Sequence, residues 1–255
     1  MPTTSLPPSL LALIALAGLY AGIQNALAGG GSFITFPTLL LAGLNPLAAN
    51  MSSTIALFPS QITTAIAGRK LVGGVGPVPF RHLFWISLAG GVAGALLLLS
   101  TPVSIFTRLV PWLVLFATSV FTWGSFFRKP RAEGEPHDAW PAPLLLMVQG
   151  GIAVYGGYFG GGIGFLMLAA LTIAGQQVRM ATASKNVLAM TMNASAVVIF
   201  ALSPQINWWA VLALGAGGIV GGVVGGWLMH RLPEKGLRAF VVLVGAVLTV
   251  WLFVR

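Results

Sequence analysis

Long apolar runs alternate with short polar or glycine-rich breaks along the whole chain. About ten apolar segments are apparent, five in each half. Because most of them are long enough to cross the roughly 30 Å apolar layer of a bilayer as helices, the pattern predicts an all-α polytopic membrane protein. The segments lie near 9–28, 32–44, 47–68, 79–99 and 103–127, and near 141–160, 163–175, 178–202, 207–229 and 236–254.

The second segment of each half is too short to cross the bilayer comfortably. At about 1.5 Å per residue, neither 32–44 nor 163–175 matches the apolar layer. Each follows a run of glycines, which form helix poorly. We therefore expect two half-helices, or thin and strongly tilted crossings, that begin at glycine-rich breaks.

The two halves resemble each other at an offset of 132 positions. This offset aligns Gly29 with Gly161 and Phe33 with Phe165. Paired, glycine-interrupted apolar segments are typical of transporters that are built from internal repeats. The longest polar stretch, 128–143, is predicted to link a first membrane repeat (1–127) to a second one (144–255).

Charged residues in the loops predict how the repeats are oriented. Arg69, Lys70 and Arg81 flank the connection between the third and fourth segments, which is therefore expected in the cytoplasm, as is the basic linker. The equivalent connection at 203–207 is uncharged and is expected outside. The repeats are thus predicted to be inverted about an axis in the membrane plane, with the breaks meeting near the midplane and both termini in the periplasm.

Composition narrows the class further. The chain is 57% hydrophobic and 7% charged, has a net charge of +9 and contains no cysteine. A soluble domain of this length has no means of hiding so much apolar surface. The basic residues are scattered at segment ends, which fits cytoplasmic loops and not a nucleic-acid surface. The absence of thiols, of intramembrane carboxylates and of buried histidine predicts no metal site and no cofactor.

Lys185 is the most unusual residue because it lies well inside the eighth segment. A cation within the membrane is costly unless it is paired or hydrated. All four acidic residues fall in predicted loops, so a visiting anion is one candidate to supply the missing negative charge. The alternative is that the side chain reaches back to the cytoplasmic interface.

The glycine breaks and the polar patches behind them form the candidate binding site. Glycine lets a ligand approach the backbone closely, and a helix that starts after the break offers free N–H groups and a positive dipole end. The alternative for these residues is tight helix packing and ordinary interhelical hydrogen bonding. The candidate residues are Gln24, Asn25, Gly29, Gly30, Gly31, Ser32, Asn50, Ser52, Ser53, Thr54, Tyr158, Gly160, Gly161, Gly162, Thr182, Ser184, Lys185 and Asn186.

Two stretches carry a resemblance to a known family. The first, from Gly29 to Thr54, contains Gly-Gly-Gly-Ser-Phe and Asn-Pro-Leu-Ala-Ala-Asn-Met-Ser-Ser-Thr, and it resembles the signature of the TauE/SafE sulfite exporters. The second, from Gly156 to Asn186, is similar to that family's repeat. The resemblance implies a bacterial inner-membrane carrier that exports sulfite, sulfoacetate or related small sulfur oxyanions by alternating access.

Other functions remain as alternatives to a carrier. A passive anion channel of the same fold differs from it in that its flux does not saturate. An enzyme is disfavoured, because Ser184 and its neighbour Lys185 point about 100° apart on a helix and no intramembrane base is available. The expected partners are the lipid bilayer and the anion. The small-residue face near 217–226 is compatible either with a homodimer or with packing inside the protein.

Overall fold

The regular elements of the protein are helices wherever the computed structural model describes the chain, which is over residues 6–27, 30–127, 140–228 and 234–254. Short turns of 3-10 and π helix follow α3 and α5. The prediction of an all-α protein is confirmed. The helices are α1 (Pro8–Leu27), α2 (Ser32–Leu41), α3 (Pro46–Gly68), α4 (Phe80–Ser100), α5 (Val103–Thr122), α6 (Ala142–Tyr158), α7 (Ile163–Ile173), α8 (Val178–Phe200), α9 (Trp208–Leu228) and α10 (Glu234–Val254).

Several helices are suited to a bilayer by length and composition. The ranges Pro8–Asn25, Phe80–Ser100, Val103–Phe127 and Trp208–Gly225 are both long and apolar enough to cross one. Helices α3 and α8 have 23 residues each, about 35 Å of helix, but they carry the polar patches and are less apolar. The chain is accordingly a multi-pass membrane protein whose two longest helices are also among its more polar ones.

Helices α2 and α7 are short, with 10 and 11 residues. They have left-handed glycines before and after them, with φ of 84° at Gly30 and 75° at Gly162, and of 91° at Gly43 and 105° at Gly175. Residues with a side chain rarely adopt such angles, so glycine is needed at these breaks. Each short helix is about 15 Å long, roughly half the apolar layer.

The helices of the two halves correspond in position and in packing. The first residues of α3 and α8 are 132 positions apart, and so are their last residues, as the sequence offset predicts. Helix α1 packs on α9, and in the other half α6 packs on α4. Helices α3 and α8 pack on each other, as do α5 and α10. Exchanging the two halves therefore turns each of these contacts into an equivalent contact.

Glycines allow α1 and α9 to approach very closely. A Cβ atom added at Gly217 would overlap the carbonyl oxygen of Ala15, and one at Gly221 would overlap that of Leu19. Where lipid is the solvent, such small-residue contacts are a main source of helix association. At these two positions the glycine-rich face of α9 packs inside the protein.

Candidate functional site

A cavity of about 440 Å³ lies where the two glycine breaks meet the middles of α3 and α8. Gly30 lines it from the first break, and 160–164 line it from the second. Irregular backbone at membrane depth is tolerated where it faces protein or a wet cavity. The cavity therefore explains why the irregular backbone of the two breaks is tolerated.

The start of α7 supplies one favourable environment for an anion. Gly162 caps this helix in a left-handed conformation, with φ 75° and ψ 0°, and its carbonyl accepts the N–H groups of Phe165 and Leu166 at 3.0 and 3.2 Å. The first amides of a helix have no partner within the helix, and they carry the positive end of its dipole. Ile163 and Gly164, which hold those amides, line the cavity.

Lys185 adds a full positive charge at the same place. Its side chain lines the cavity from α8, and a Cβ atom added at Gly164 would lie 3.5 Å from the Lys185 Nζ atom. The ammonium group is therefore next to the start of α7, and the two positive potentials act on one region. Among the residues that the structure describes, no aspartate or glutamate lines the cavity.

Neutral hydrogen-bonding groups also line the cavity. Asn50 donates from Nδ2 to the carbonyl of Tyr158 at 3.0 Å, which ties α3 to the second break. The hydroxyls of Ser53 and Thr35 are 2.5 Å apart and join α3 to α2. These bonds fix the orientation of the polar groups before any ligand arrives. The neutral candidate residues that line the cavity on α3 and α8 are Asn50, Ser53, Thr54, Thr182 and Asn186.

The first break is organised by Asn25. Its Oδ1 atom accepts the backbone N–H of Gly31 at 2.7 Å and so anchors the start of α2. Asn25, Gly30 and Ser32 line the cavity, as do Gly160, Gly161 and Gly162 on the other side. Gly29 lies outside the described residues.

Five candidate residues do not line the cavity. Gln24 and Ser52 are fully buried, and the backbone N–H of Gly31 is bonded to Asn25. The ring of Tyr158 packs edge-on against Phe106, and only its carbonyl takes part in the site, through Asn50. The residues are Gln24, Gly31, Ser52, Tyr158 and Ser184.

Ser184 points away from the cavity and fixes a loop. Its Oγ atom accepts hydrogen bonds from the Gln176 side chain at 3.0 Å and from the Gly73 N–H at 3.3 Å. Gln176 also donates to the Gly73 carbonyl at 2.9 Å. These bonds hold the connection between α3 and α4 against the α7–α8 turn, with Val75 and Val78 buried beneath it.

Sequence reasoning missed part of the lining. Ser60, Gln61 and Thr64 continue the polar face of α3 beyond Thr54, and Asn193 does so on α8. The missed signal was the helical spacing of three, four and seven residues from Asn50 onward. The Asn193 side chain donates to Gln61 Oε1 at 2.8 Å, and these two residues are again 132 positions apart.

Arg238 is the second basic residue of the cavity. It lies within α10, and its side chain lines the cavity. Because Arg238 and Lys185 are both positively charged and line the same cavity, their charges repel each other. Among the residues that the structure describes, two basic side chains line the cavity, one from α8 and one from α10.

The chain is a multi-pass helical membrane protein with a cavity that basic and polar side chains line between its helices. The names of its relatives and of its family indicate a membrane transporter. A "Probable membrane transporter protein" of Haemophilus influenzae is 30% identical over 244 residues, which cover 94% of this chain and 93% of the relative.

Two further relatives are similar over almost their whole length. The "Probable membrane transporter protein YfcA" of Escherichia coli K12 is 26% identical, over 95% of this chain and 89% of its own. The "Probable membrane transporter protein ORF9" of a Sinorhizobium species is 31% identical, over 94% and 91%. No solved structure matches the chain. Residues 14–252 match the family "Sulfite exporter TauE/SafE", and the chain belongs to that family.

Proposed function

We propose that the protein is a secondary transporter that exports small sulfur-containing oxyanions, such as sulfite or sulfoacetate, across the bacterial inner membrane. The observation that carries this proposal is the position of the Lys185 ammonium beside the start of α7. A small oxyanion there gains a counter-charge and the first backbone amides of the helix at once. The printed name of the family supports the same class of substrate.

Alternating access is proposed from the correspondence of the two halves. Two repeats that are inverted about an axis in the membrane plane, each with a half-helix ending at the cavity, can exchange conformations by rocking around a fixed site. The equal lengths of α3 and α8, and the matched packing of α1 on α9 and of α6 on α4, support this arrangement. Together with the basic loops at 69–81 and in the linker, which favour the cytoplasm, inverted repeats of this kind lead us to propose that both termini face the periplasm.

Flux measurements in proteoliposomes test the transport proposal. Sulfite, sulfoacetate, sulfate, thiosulfate and chloride are offered in turn, with and without an imposed pH gradient and voltage. Saturable movement of one sulfur oxyanion, with counterflow, is the expected result. Flux that rises without saturation for every anion would identify a passive channel and overturn the carrier.

A reporter tests the proposed orientation separately. An enzyme that is active only in the periplasm, fused after Arg255, is expected to be active. The matched fusion within the basic linker, after Arg131, is expected to be inactive. Activity in the opposite pattern would reverse the orientation, and activity of both fusions would show that the two sites lie on the same side.

A further inference from the structure

Three arginines lie at the end of the protein where α3 ends and where α4 and α8 begin. Arg69 opens the 3-10 turn after α3, Arg81 lies in the first turn of α4 and Arg179 lies in the first turn of α8. All three side chains are exposed. Helices α3, α4 and α8, and the loop between α3 and α4, contain no aspartate or glutamate. The segments that carry the three arginines therefore do not neutralise their charge.

The loop between α3 and α4 joins these segments into one ordered surface. Val75 and Val78 exchange two backbone hydrogen bonds of 2.9 Å, which folds the loop back on itself just before α4. A Cβ atom added at Gly73 would lie 2.7 Å from the sulfur of Met180, the residue after Arg179. The loop is thus in contact with the start of α8. The backbone that carries the arginines is fixed before a ligand binds, which lowers the entropic cost of binding.

An exposed stripe continues from Arg81 along α4. Trp85, Ala89, Ala93 and Leu97 follow at intervals of four residues, and all four are exposed. Residues at this spacing lie on one face of a helix. Tryptophan is enriched at the level of the lipid headgroups, so Trp85 indicates that Arg81 lies at the membrane surface. The two alanines leave a shallow groove between Trp85 and Leu97, in the apolar layer and parallel to the lipid chains.

We propose that this surface binds an anionic phospholipid, with its phosphate at the three arginines and an acyl chain along the stripe on α4. A guanidinium donates two parallel hydrogen bonds to a phosphate, and basic residues at the membrane surface attract anionic headgroups. The change from arginine through tryptophan to small apolar residues along α4 matches the order of headgroup, interface and acyl chain in a phospholipid. This lipid site is separate from the cavity, and the inference does not depend on which solute is transported.

Competition between two phospholipids tests the proposal. The full-length protein in detergent receives an equimolar mixture of phosphatidylglycerol and phosphatidylcholine with the same acyl chains, and native mass spectrometry counts the lipids that stay bound. Each arginine near an anionic headgroup contributes about fivefold in affinity, so we expect phosphatidylglycerol to be bound at least about tenfold more often. Equal retention of the two lipids would overturn the proposal.

Glycerol phosphate distinguishes a lipid from a soluble phosphate. It has the charged group of the phospholipid but no acyl chain, and it is therefore expected not to displace bound phosphatidylglycerol at equal concentration. Displacement at equal concentration would show that the arginines bind a free phosphate and that the stripe on α4 contributes nothing, which would overturn the assignment to a lipid.

Substitution of the arginines locates the site. The triple variant Arg69→Gln, Arg81→Gln, Arg179→Gln is expected to lose at least about tenfold of the preference for phosphatidylglycerol. The matched control is Arg108→Gln, because Arg108 is exposed on α5, which begins next to the opposite end of α4. An unchanged preference in the folded triple variant, or an equal loss in the control, would overturn the assigned position. Should the triple variant not fold, Arg81→Gln makes the same test with an expected loss of about fivefold.

Discussion

Helices α3 and α8 have the same length and equivalent positions in the two halves, yet they contribute different chemistry to the cavity. The lining face of α3 is uncharged from Asn50 to Thr64 and, apart from Leu57, polar, whereas α8 contributes Lys185 in its first half. The positions on α8 that correspond to Ser60 and Thr64 are Met192 and Ala196, both fully buried. Helix α3 thus provides a polar path as far as Thr64. Helix α8 provides the charge and Asn193, with an apolar closure at Met192 and Ala196.

This difference shows that two repeats of one fold can contribute different chemical groups to one site. A polar face along α3 keeps water beside a ligand, because hydroxyl and amide groups replace part of its hydration. At the corresponding positions of α8, Met192 and Ala196 are buried in close apolar packing.

Removal of the charge on α8 is expected to have the largest effect. Lys185→Ala should lower the rate of anion flux in proteoliposomes about 100-fold, because losing one partner of a desolvated charge contact costs several kcal/mol. Lys70→Ala is the control, since Lys70 is an exposed residue of the turn after α3. If a folded Lys185→Ala protein shows the same flux as the unmodified protein, a role for Lys185 in the site is contradicted.

Chemical labelling compares the polar path with the apolar closure directly. The chain has no cysteine, so Thr64→Cys and Ala196→Cys each introduce the only thiol. Thr64 is half-buried and lines the cavity, whereas Ala196 is fully buried. The thiol at position 64 should therefore react with a membrane-impermeant maleimide at least about tenfold faster in the purified protein. Equal rates would show that water reaches both helices alike.

The glycine at the start of α7 should be needed for stability. Gly162→Ala introduces a side chain at φ 75°, which costs about 1–2 kcal/mol, and should lower the thermal unfolding temperature in detergent. Gly150→Ala is the matched control, because no atom lies within 4 Å of a Cβ added there and alanine favours helix. A Gly162→Ala protein as stable as the control would contradict the proposed need for the left-handed conformation.

The smallest effect is expected at a pair of equivalent serines. Ser184→Ala removes the acceptor of the Gly73 N–H and should destabilise the protein by about 1 kcal/mol. Ser52→Ala should be neutral or slightly stabilising, because the Ser52 hydroxyl is buried without a hydrogen-bond partner among the described residues. The two variants are compared by thermal unfolding, and equal shifts would contradict the role assigned to Ser184.

The sequence predicted the elements of the fold better than it predicted the lining of the cavity. The glycine breaks and the bounds of α3 and α8 follow from local preferences: left-handed turns need glycine, and an apolar run forms a helix. Lys185 stood out because a charge in an apolar segment has few explanations. These features depend on a few neighbouring residues, which a sequence displays directly.

The remaining features depend on contacts between distant segments. Ser184 looks equivalent to its polar neighbours, but its direction on the helix brings it to Gln176 and away from the cavity. Arg238 is a basic residue close to the end of an apolar segment, where loop residues are common. Only the packing of α10 brings it to the cavity. Such outcomes are decided by tertiary packing, which a single sequence does not display.

The hydrogen bond between Gln61 and Asn193 has an evolutionary consequence. These residues are equivalent in the two halves, so in a half-length ancestor that assembled as a symmetric pair, one residue would have met its own copy at this point. An amide side chain both donates and accepts, and it can therefore bond to an identical partner. Duplication and fusion of the gene for such an ancestor would let the two copies diverge into glutamine and asparagine while keeping the contact.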